Sequence, residues 1–404
     1  MKLLKETKIK LVFIIIFFMV GYSLEFIYRK PLYDNSVEIA KSVQGSLSWS
    51  TTFFKYYAYI GVIEFYLAII FFIFFPINYC FTFFLNVVIS VHLCSFAKLI
   101  YSQGRPFLLD KSVYVTCESG YGNPSGHSFQ FTSNLLAFVQ MFIDFFKLNK
   151  KYCIIIYIIC AILILSINLS RIVLGVHSIN QVIFGDTLGF TVYFVICKII
   201  QPHKIEINKL FGAFLNLKFH IINLVAIIIN AISLVIAAIV FDNTDSENYE
   251  ILKDKIKEIC KKSENGMLSR DAKTKYLYIL AYYGMICGMT LLSYYVKHKY
   301  NEKYEELNYY YRNTKSKWYI KYGSRILFTG ICYIPQISIY TNKNINIYVI
   351  YILGSAFPMF IYGFMLFSIN YILTIELHLA NDDLYISFPK VDKNDEYILG
   401  ETNN

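Results

Sequence analysis

Three short groups of polar residues interrupt an otherwise apolar stretch between Lys98 and Gln181. The first is Lys98, six residues, then Arg105-Pro106. The second is Pro124-Ser125-Gly126-His127. The third is Ser170-Arg171, five residues, His177, three residues, Gln181. Three cations in such a set can hold phosphoryl oxygens, the arginines through planar forks and the lysine as a point charge. Gly126 lets backbone approach a ligand, free N–H groups at a helix start point toward anions, and Ser125 adds a hydroxyl. Two histidines can divide the work of nucleophile and proton carrier. The chemistry this predicts is hydrolysis of a phosphate ester.

Each group has an ordinary reading when taken alone. A lysine in the last turn of a membrane helix reaches for the interface. Ser125 suits a helix cap. A lone histidine is usually structural. Two histidines and three cations on one membrane face outweigh these readings, because ionisable residues at such depth are functional by default.

The elements that must position them are membrane helices. The chain is 404 residues long, 56% hydrophobic and 16% charged, with mean hydropathy +0.46. That is too apolar for a soluble chain of this length. The net charge of +10 falls in clusters between apolar runs, as the positive-inside rule produces; no nucleic acid partner is expected.

An apolar run follows the lysines of residues 1–10 and reads as an uncleaved signal anchor, with residues 31–56 as a polar loop beyond it. Further runs cover 57–75, 81–100, 127–146, 153–170, 179–200, 219–241, 274–296, 326–340 and 346–373, giving ten helices. The linker 297–325 has eight basic and three acidic residues, whereas 242–275 has eight of each. Alternating these linkers across the bilayer puts all three polar groups at helix ends on the non-cytosolic side. A spacing of seven would align Lys98 and Arg105 if their helix continued. Arg171 and His177, six apart, need a bend within Ile172–Val176. Four regions follow: 1–56, an anchor and loop; 57–200, the catalytic core; 201–378, additional helices; 379–404, a polar tail. Among nine cysteines, Cys117 and Cys260 fall in loops on the same side, so a disulfide between them is possible.

The spacings K-x6-R-P, P-S-G-H and S-R-x5-H resemble the type 2 phosphatidic acid phosphatase superfamily. Gln181 departs from it, standing where most members have aspartate. That glutamine, with Thr116-Cys117-Glu118-Ser119-Gly120, resembles the glucose-6-phosphatase catalytic subunits more narrowly. The resemblance implies an all-α, polytopic membrane bundle of about nine to ten helices around a phosphatase core. It implies His177 as nucleophile, His127 as general acid and base, and phosphate binding by Lys98, Arg105, Ser125, Gly126 and Arg171. Gln181 would orient His177, unless Asp110, Glu118 or, less suitably placed, Asp186 supplies a carboxylate. No metal or cofactor is expected.

The implied substrate is glucose 6-phosphate, at a lumenal site of the endoplasmic reticulum membrane, with a sugar-phosphate transporter as functional partner. A lipid phosphate or dolichyl diphosphate is the alternative substrate. An inactive relative serving as transporter or scaffold is a third reading, which the intact cations and histidines oppose. Asn168-Leu169-Ser170 matches a glycosylation sequon, yet its place beside the site predicts that it stays unmodified.

Overall fold

The computed structural model describes residues 2–47, 51–58, 74–113, 115–118, 120–205, 207–243, 246–260, 279–300, 323–324, 326–329, 331 and 360–376. The expected spans over 57–75 and 326–340 lie largely outside these residues, as do the first half of 346–373 and the tail 379–404. Among the described residues every regular element is helical. They are α1 (Lys2–Asp34), α2 (Ser36–Ser46), α3 (Thr51–Tyr57), α4 (Ile77–Tyr101), α5 (Pro106–Leu109), α6 (Gly126–Phe146), α7 (Lys150–Val173) and α8 (Ile179–Tyr193). Then come α9 (Ile207–Phe214), α10 (Leu217–Asn243), α11 (Ser246–Cys260), α12 (Ile279–Tyr300) and α13 (Ile369–Glu376).

Among the described residues, five helical stretches are long and apolar enough to cross a membrane: Lys8–Asp34, Ile77–Leu109, Lys150–Val173, Ile179–Lys204 and Ile279–His298. The fold is a polytopic membrane bundle. Helix α7 exposes Ile154, Ile155, Ile158, Ile162 and Leu165, the surface expected of a helix facing lipid. Helix α4 is the opposite case. It is buried along most of its length, with Phe83, Val87, Val91 and Cys94 in the main apolar core.

Helices α6 and α8 pack closely because Gly185 and Gly189 face α6. A Cβ at Gly185 would lie 2.8 Å from the Ser125 carbonyl oxygen, and one at Gly189 would lie 2.5 Å from that of Phe129. Small residues four apart let two membrane helices meet backbone to backbone. This contact sets the start of α6 against the first turns of α8. Helix α1 lies along α8 through Phe13–Phe194, Phe17–Phe190 and Tyr22–Phe184 ring contacts. Its buried Glu25 accepts from Tyr101 (3.3 Å) and pairs with Arg29 (3.2 Å). The N-terminal segment is therefore part of the bundle.

Two expectations need correction. Residues 31–56 are not a loop: α1 runs to Asp34, and α2 and α3 follow. The linker 242–275 contains α11. Both helices are amphipathic in a way their charge conceals. Val37, Ala40 and Val43 of α2, and Leu252, Ile256 and Ile259 of α11, recur at helical spacing. They join Phe107, Val113, Val173 and Val176 in a second apolar cluster, separate from the main core. This cluster roofs the end of the bundle that carries the three polar groups. Cys117 and Cys260 form a disulfide, Cα–Cα 5.7 Å, tying α11 to the loop before α6.

Candidate active site

Helix α4 ends before Arg105. Ser102 takes a left-handed conformation (φ 44°) and its N–H bonds the Lys98 carbonyl, 3.1 Å. The helix does not continue to Arg105, so the helical alignment of Lys98 and Arg105 does not arise; this cap turns the chain instead. Lys98 is buried in the last turn of α4, and its Nζ lies 3.7 Å from where a Cβ on Gly126 would stand. The glycine leaves room for the ammonium beside the start of α6.

Arg105, at the N-terminus of α5, is fixed on several sides. Its Nε donates to the Gly120 carbonyl (2.9 Å). Its Nη1 approaches the Val176 carbonyl (3.0 Å), Glu118 Oε2 (3.1 Å) and His177 Nε2 (2.9 Å). Arg171, in the last turn of α7, is fully buried and donates from Nη2 to Glu118 Oε1. Its Nε and Nη1 have no protein partner. Buried donors of this kind are costly to leave unmatched, and here they belong to a cation beside a histidine. An anion with several acceptor oxygens would match them.

The bend between Arg171 and His177 centres on Gly175. Its φ is +66°, and a Cβ there would lie 2.1 Å from the Val113 carbonyl oxygen. Gln44 of α2 clamps the same turn, donating to the Val113 (3.0 Å) and Val173 (2.9 Å) carbonyls. The His177 N–H then reaches back to the Arg171 carbonyl, 3.3 Å, so both side chains meet at one place.

The tautomer of His177 follows from neighbours whose roles are unambiguous. Gln181 Oε1 accepts from the Ser178 N–H (3.3 Å), which can only donate. Gln181 Nε2 donates to the Gly104 carbonyl (2.8 Å), which can only accept. The amide orientation is fixed by these two contacts. Oε1, 3.0 Å from His177 Nδ1, must then accept a proton from it. The guanidinium of Arg105, which can only donate, faces Nε2. Both sides require Nδ1–H and a lone pair on Nε2. Burial, with the positive charges of Arg105 and Arg171, holds the His177 imidazole well below its usual pKa, against the opposing pull of Glu118. The ring is neutral at pH 7, with its nucleophilic nitrogen toward the cations.

Ser125 caps α6. Its Oγ accepts from the Ser128 N–H (3.4 Å) and hydroxyl (2.9 Å), leaving its own O–H to donate elsewhere. Its N–H bonds the Gln181 carbonyl, 2.8 Å, which ties the second polar group to the third. His127 follows in the first turn. It stands within electrostatic reach of Glu118.

Glu118 has a different place from the one expected of a substitute aspartate: it bridges Arg105 and Arg171. Burial alone would raise its pKa. The attraction of Arg171, then Arg105, with smaller contributions from His127 and His177, holds it well below the usual carboxylate range. Asp110 pairs with Lys41 (2.8 Å), and Asp186 accepts from Thr132 (2.7 Å) and Asn168. Neither replaces the aspartate. Asn168 is buried, with its amide committed to Asp186.

Sequence reasoning missed the carbonyls of Gly104, Gly120 and Val176. Backbone acceptors carry no residue-type signal, so no motif could have revealed them.

Residues 75–205 match the protein-family model described as PAP2 superfamily, a range that contains every residue named in this pocket. The chain is also 28% identical over 79 residues to phosphatidylglycerophosphatase B of Bacillus subtilis (strain 168), covering 20% of this chain and 39% of that protein. The match thus spans well under half of that relative. No solved structure matches the chain.

Proposed function

We propose that this protein is a membrane phosphatase that hydrolyses a phosphate monoester through a phosphohistidine. The observation that carries the proposal is the buried Arg171 guanidinium, with two donors unmatched by protein, sharing Glu118 with Arg105, whose Nη1 in turn meets the lone pair of His177 Nε2.

The substrate phosphoryl group enters between Lys98, Arg105 and Arg171, displacing Glu118. A monoester carries about −1.5 to −2 charge, so three cations can balance both it and the transition state. His177 Nε2 attacks phosphorus while its Nδ1–H stays bonded to Gln181 Oε1. His127 protonates the leaving oxygen, then takes a proton from the water that releases phosphate. Ser125 O–H and the Gly126 N–H are further donors to the phosphoryl oxygens. Gln181 keeps the tautomer without balancing the charge that His177 gains. The negative charge nearest the ring belongs to Glu118.

The proposed substrate is a sugar phosphate, glucose 6-phosphate foremost. The residues that narrow the resemblance to that family, Glu118 and Gln181, both lie in the pocket, which supports this reading. The lipid-phosphate reading is favoured by the relative's name, phosphatidylglycerophosphatase B. The site is proposed to face the endoplasmic reticulum lumen, with a sugar-phosphate transporter as functional partner. The Cys117–Cys260 disulfide on the site's side supports an oxidising compartment there, and Lys147, Lys150 and Lys151 at the other end of α6 and α7 support a cytosolic face.

Phosphate release by the purified full-length protein, with glucose 6-phosphate and phosphatidylglycerophosphate compared side by side, tests the proposal. Turnover of the sugar ester at least tenfold above the lipid supports the sugar reading, and the reverse ratio replaces it. Release from neither substrate overturns the phosphatase assignment.

A further inference from the structure

Gln103 lies in the loop between Lys98 and Arg105, outside every motif position. Its Oε1 accepts from Gln181 Nε2 (3.1 Å) and from Asn180 Nδ2 (3.2 Å). Its backbone carbonyl accepts from the Gly122 N–H, 2.8 Å. Because Gln103 Oε1 must accept from Gln181 Nε2, the Asn180 atom facing it must be the donor Nδ2, and Asn180 Oδ1 then accepts from the Ser178 hydroxyl (2.5 Å). A chain of amides results: Asn180 and Gln181 both donate to Gln103, and Gln181 accepts from His177.

We propose that Gln103 is a positioning residue for hydrolysis, holding the Gln181 amide so that its carbonyl oxygen meets His177 Nδ1. The proposal rests on the phosphatase reading and accounts for the glutamine at position 181. A carboxylate there would face two acceptors, Gln103 Oε1 and the Gly104 carbonyl, with no proton to share. An amide offers one N–H to each. Gly122 completes the fit, since a Cβ on it would come within 2.5 Å of both Gln181 amide atoms. Without Gln103, one N–H of a fully buried amide has no acceptor, and the amide plane is held by the Gly104 carbonyl and the longer Ser178 N–H contact alone. The ring of His177 then loses its alignment toward phosphorus.

The test uses the full-length protein with Gln103→Ala, Gln103→Asn, Gln103→Glu, Gln181→Ala and the double variant Gln103→Ala/Gln181→Ala. Gln103→Ala is expected to lower kcat about tenfold, the scale of a modest misalignment, with KM within about twofold. Gln103→Asn, one methylene short of both donors, should lose a similar factor. Gln103→Glu, which can accept from both, should restore most of kcat. Because Gln103 acts through Gln181, the double variant should be no slower than Gln181→Ala alone. Unchanged kcat in Gln103→Ala, a change in KM alone, or losses that multiply in the double variant would overturn the proposal. If Gln103→Ala does not fold, the contrast between the Asn and Glu variants decides.

A second readout separates this proposal from the reading it rests on. If the wild type releases phosphate from neither glucose 6-phosphate nor phosphatidylglycerophosphate, the phosphatase reading fails, and carbethoxylation of His177 by diethylpyrocarbonate, followed by mass spectrometry, decides alone. Slower modification in Gln103→Asn than in wild type, restored in Gln103→Glu, supports the positioning role. Equal rates in all three overturn it.

Discussion

Glu118 Oε1 accepts from Arg171 and its Oε2 from Arg105, so one carboxylate spans two guanidinium groups in the pocket where a phosphoryl group would bind. The carboxylate keeps two buried cations together, and it would compete with a phosphoryl group for them. Glu118→Gln is predicted to bind orthovanadate about tenfold more tightly, a difference of about 1.4 kcal/mol. The vanadate-free protein should unfold at lower temperature, since the two arginines then repel. Thermal unfolding with and without vanadate checks both. Weaker vanadate binding would mean that the carboxylate assists the anion instead of competing with it.

Arg105→Lys preserves charge but not shape. The arginine bonds Gly120, Val176, Glu118 and His177 from two nitrogens, and an ammonium cannot reproduce that fork. A loss of about 100-fold in kcat/KM is expected, on the scale of removing a preorganised donor. Steady-state phosphate release checks it. A loss under threefold would show that charge alone suffices.

His177→Ala should abolish turnover by a factor of at least about 10³ and remove any trapped phosphoenzyme. The check is an alkaline quench with ³²P-labelled substrate, because phosphohistidine survives base. Labelled protein in the alanine variant would assign the nucleophile to another residue.

The pH behaviour follows from His177 and Glu118. His177 binds its proton less readily folded than unfolded, so the unfolded chain takes up more protons as pH falls below the usual value of 6.5. Stability is therefore lost as pH drops through that value, and His177→Ala should flatten this slope. Glu118, also depressed, adds stability that is present above 4.5 and lost below it. Catalysis should behave differently. His177 remains neutral well below 6.5, so the acid limb of kcat/KM should follow the second ionisation of the substrate phosphate, near about 6. Substrates with different second pKa values should move that limb. A limb fixed across substrates would place the titration on the protein.

Reducing the Cys117–Cys260 bond should release α11 from the loop that carries Glu118. A stability loss of about 2–4 kcal/mol is expected, with a lowered KM because Glu118, which adjoins Cys117, then competes less with the substrate for the two arginines. Cys260→Ser, compared by non-reducing electrophoresis and denaturant unfolding, tests this. Unchanged KM with lowered stability would limit the bond to the roof.

What the sequence disclosed about this site depended on residue type. Lys98, Arg105, His127, Arg171 and His177 were legible because charge is conspicuous among apolar helices, and Gly175 because Arg171 and His177 are out of phase on one helix. Helices α2 and α11 were hidden for the opposite reason. Their apolar stripes are three residues wide within segments as polar as loops, and only the facing cluster around Phe107 and Val176 gives those stripes a partner. Gln103 carried no signal, since an amide's role is set by the atoms around it. The end of α4 was legible too, because the apolar run 81–100 stops within a residue of Tyr101.

The roof over the pocket has a consequence for biosynthesis. Every polar residue of the pocket has left the ribosome by Gln181, yet α11 is complete only at Cys260, 79 residues later (260 − 181). At translation rates of roughly 5–20 residues per second the nascent site stands without the α11 half of its roof for roughly 4–16 s. Throughout that interval Cys117 has no Cys260 to pair with.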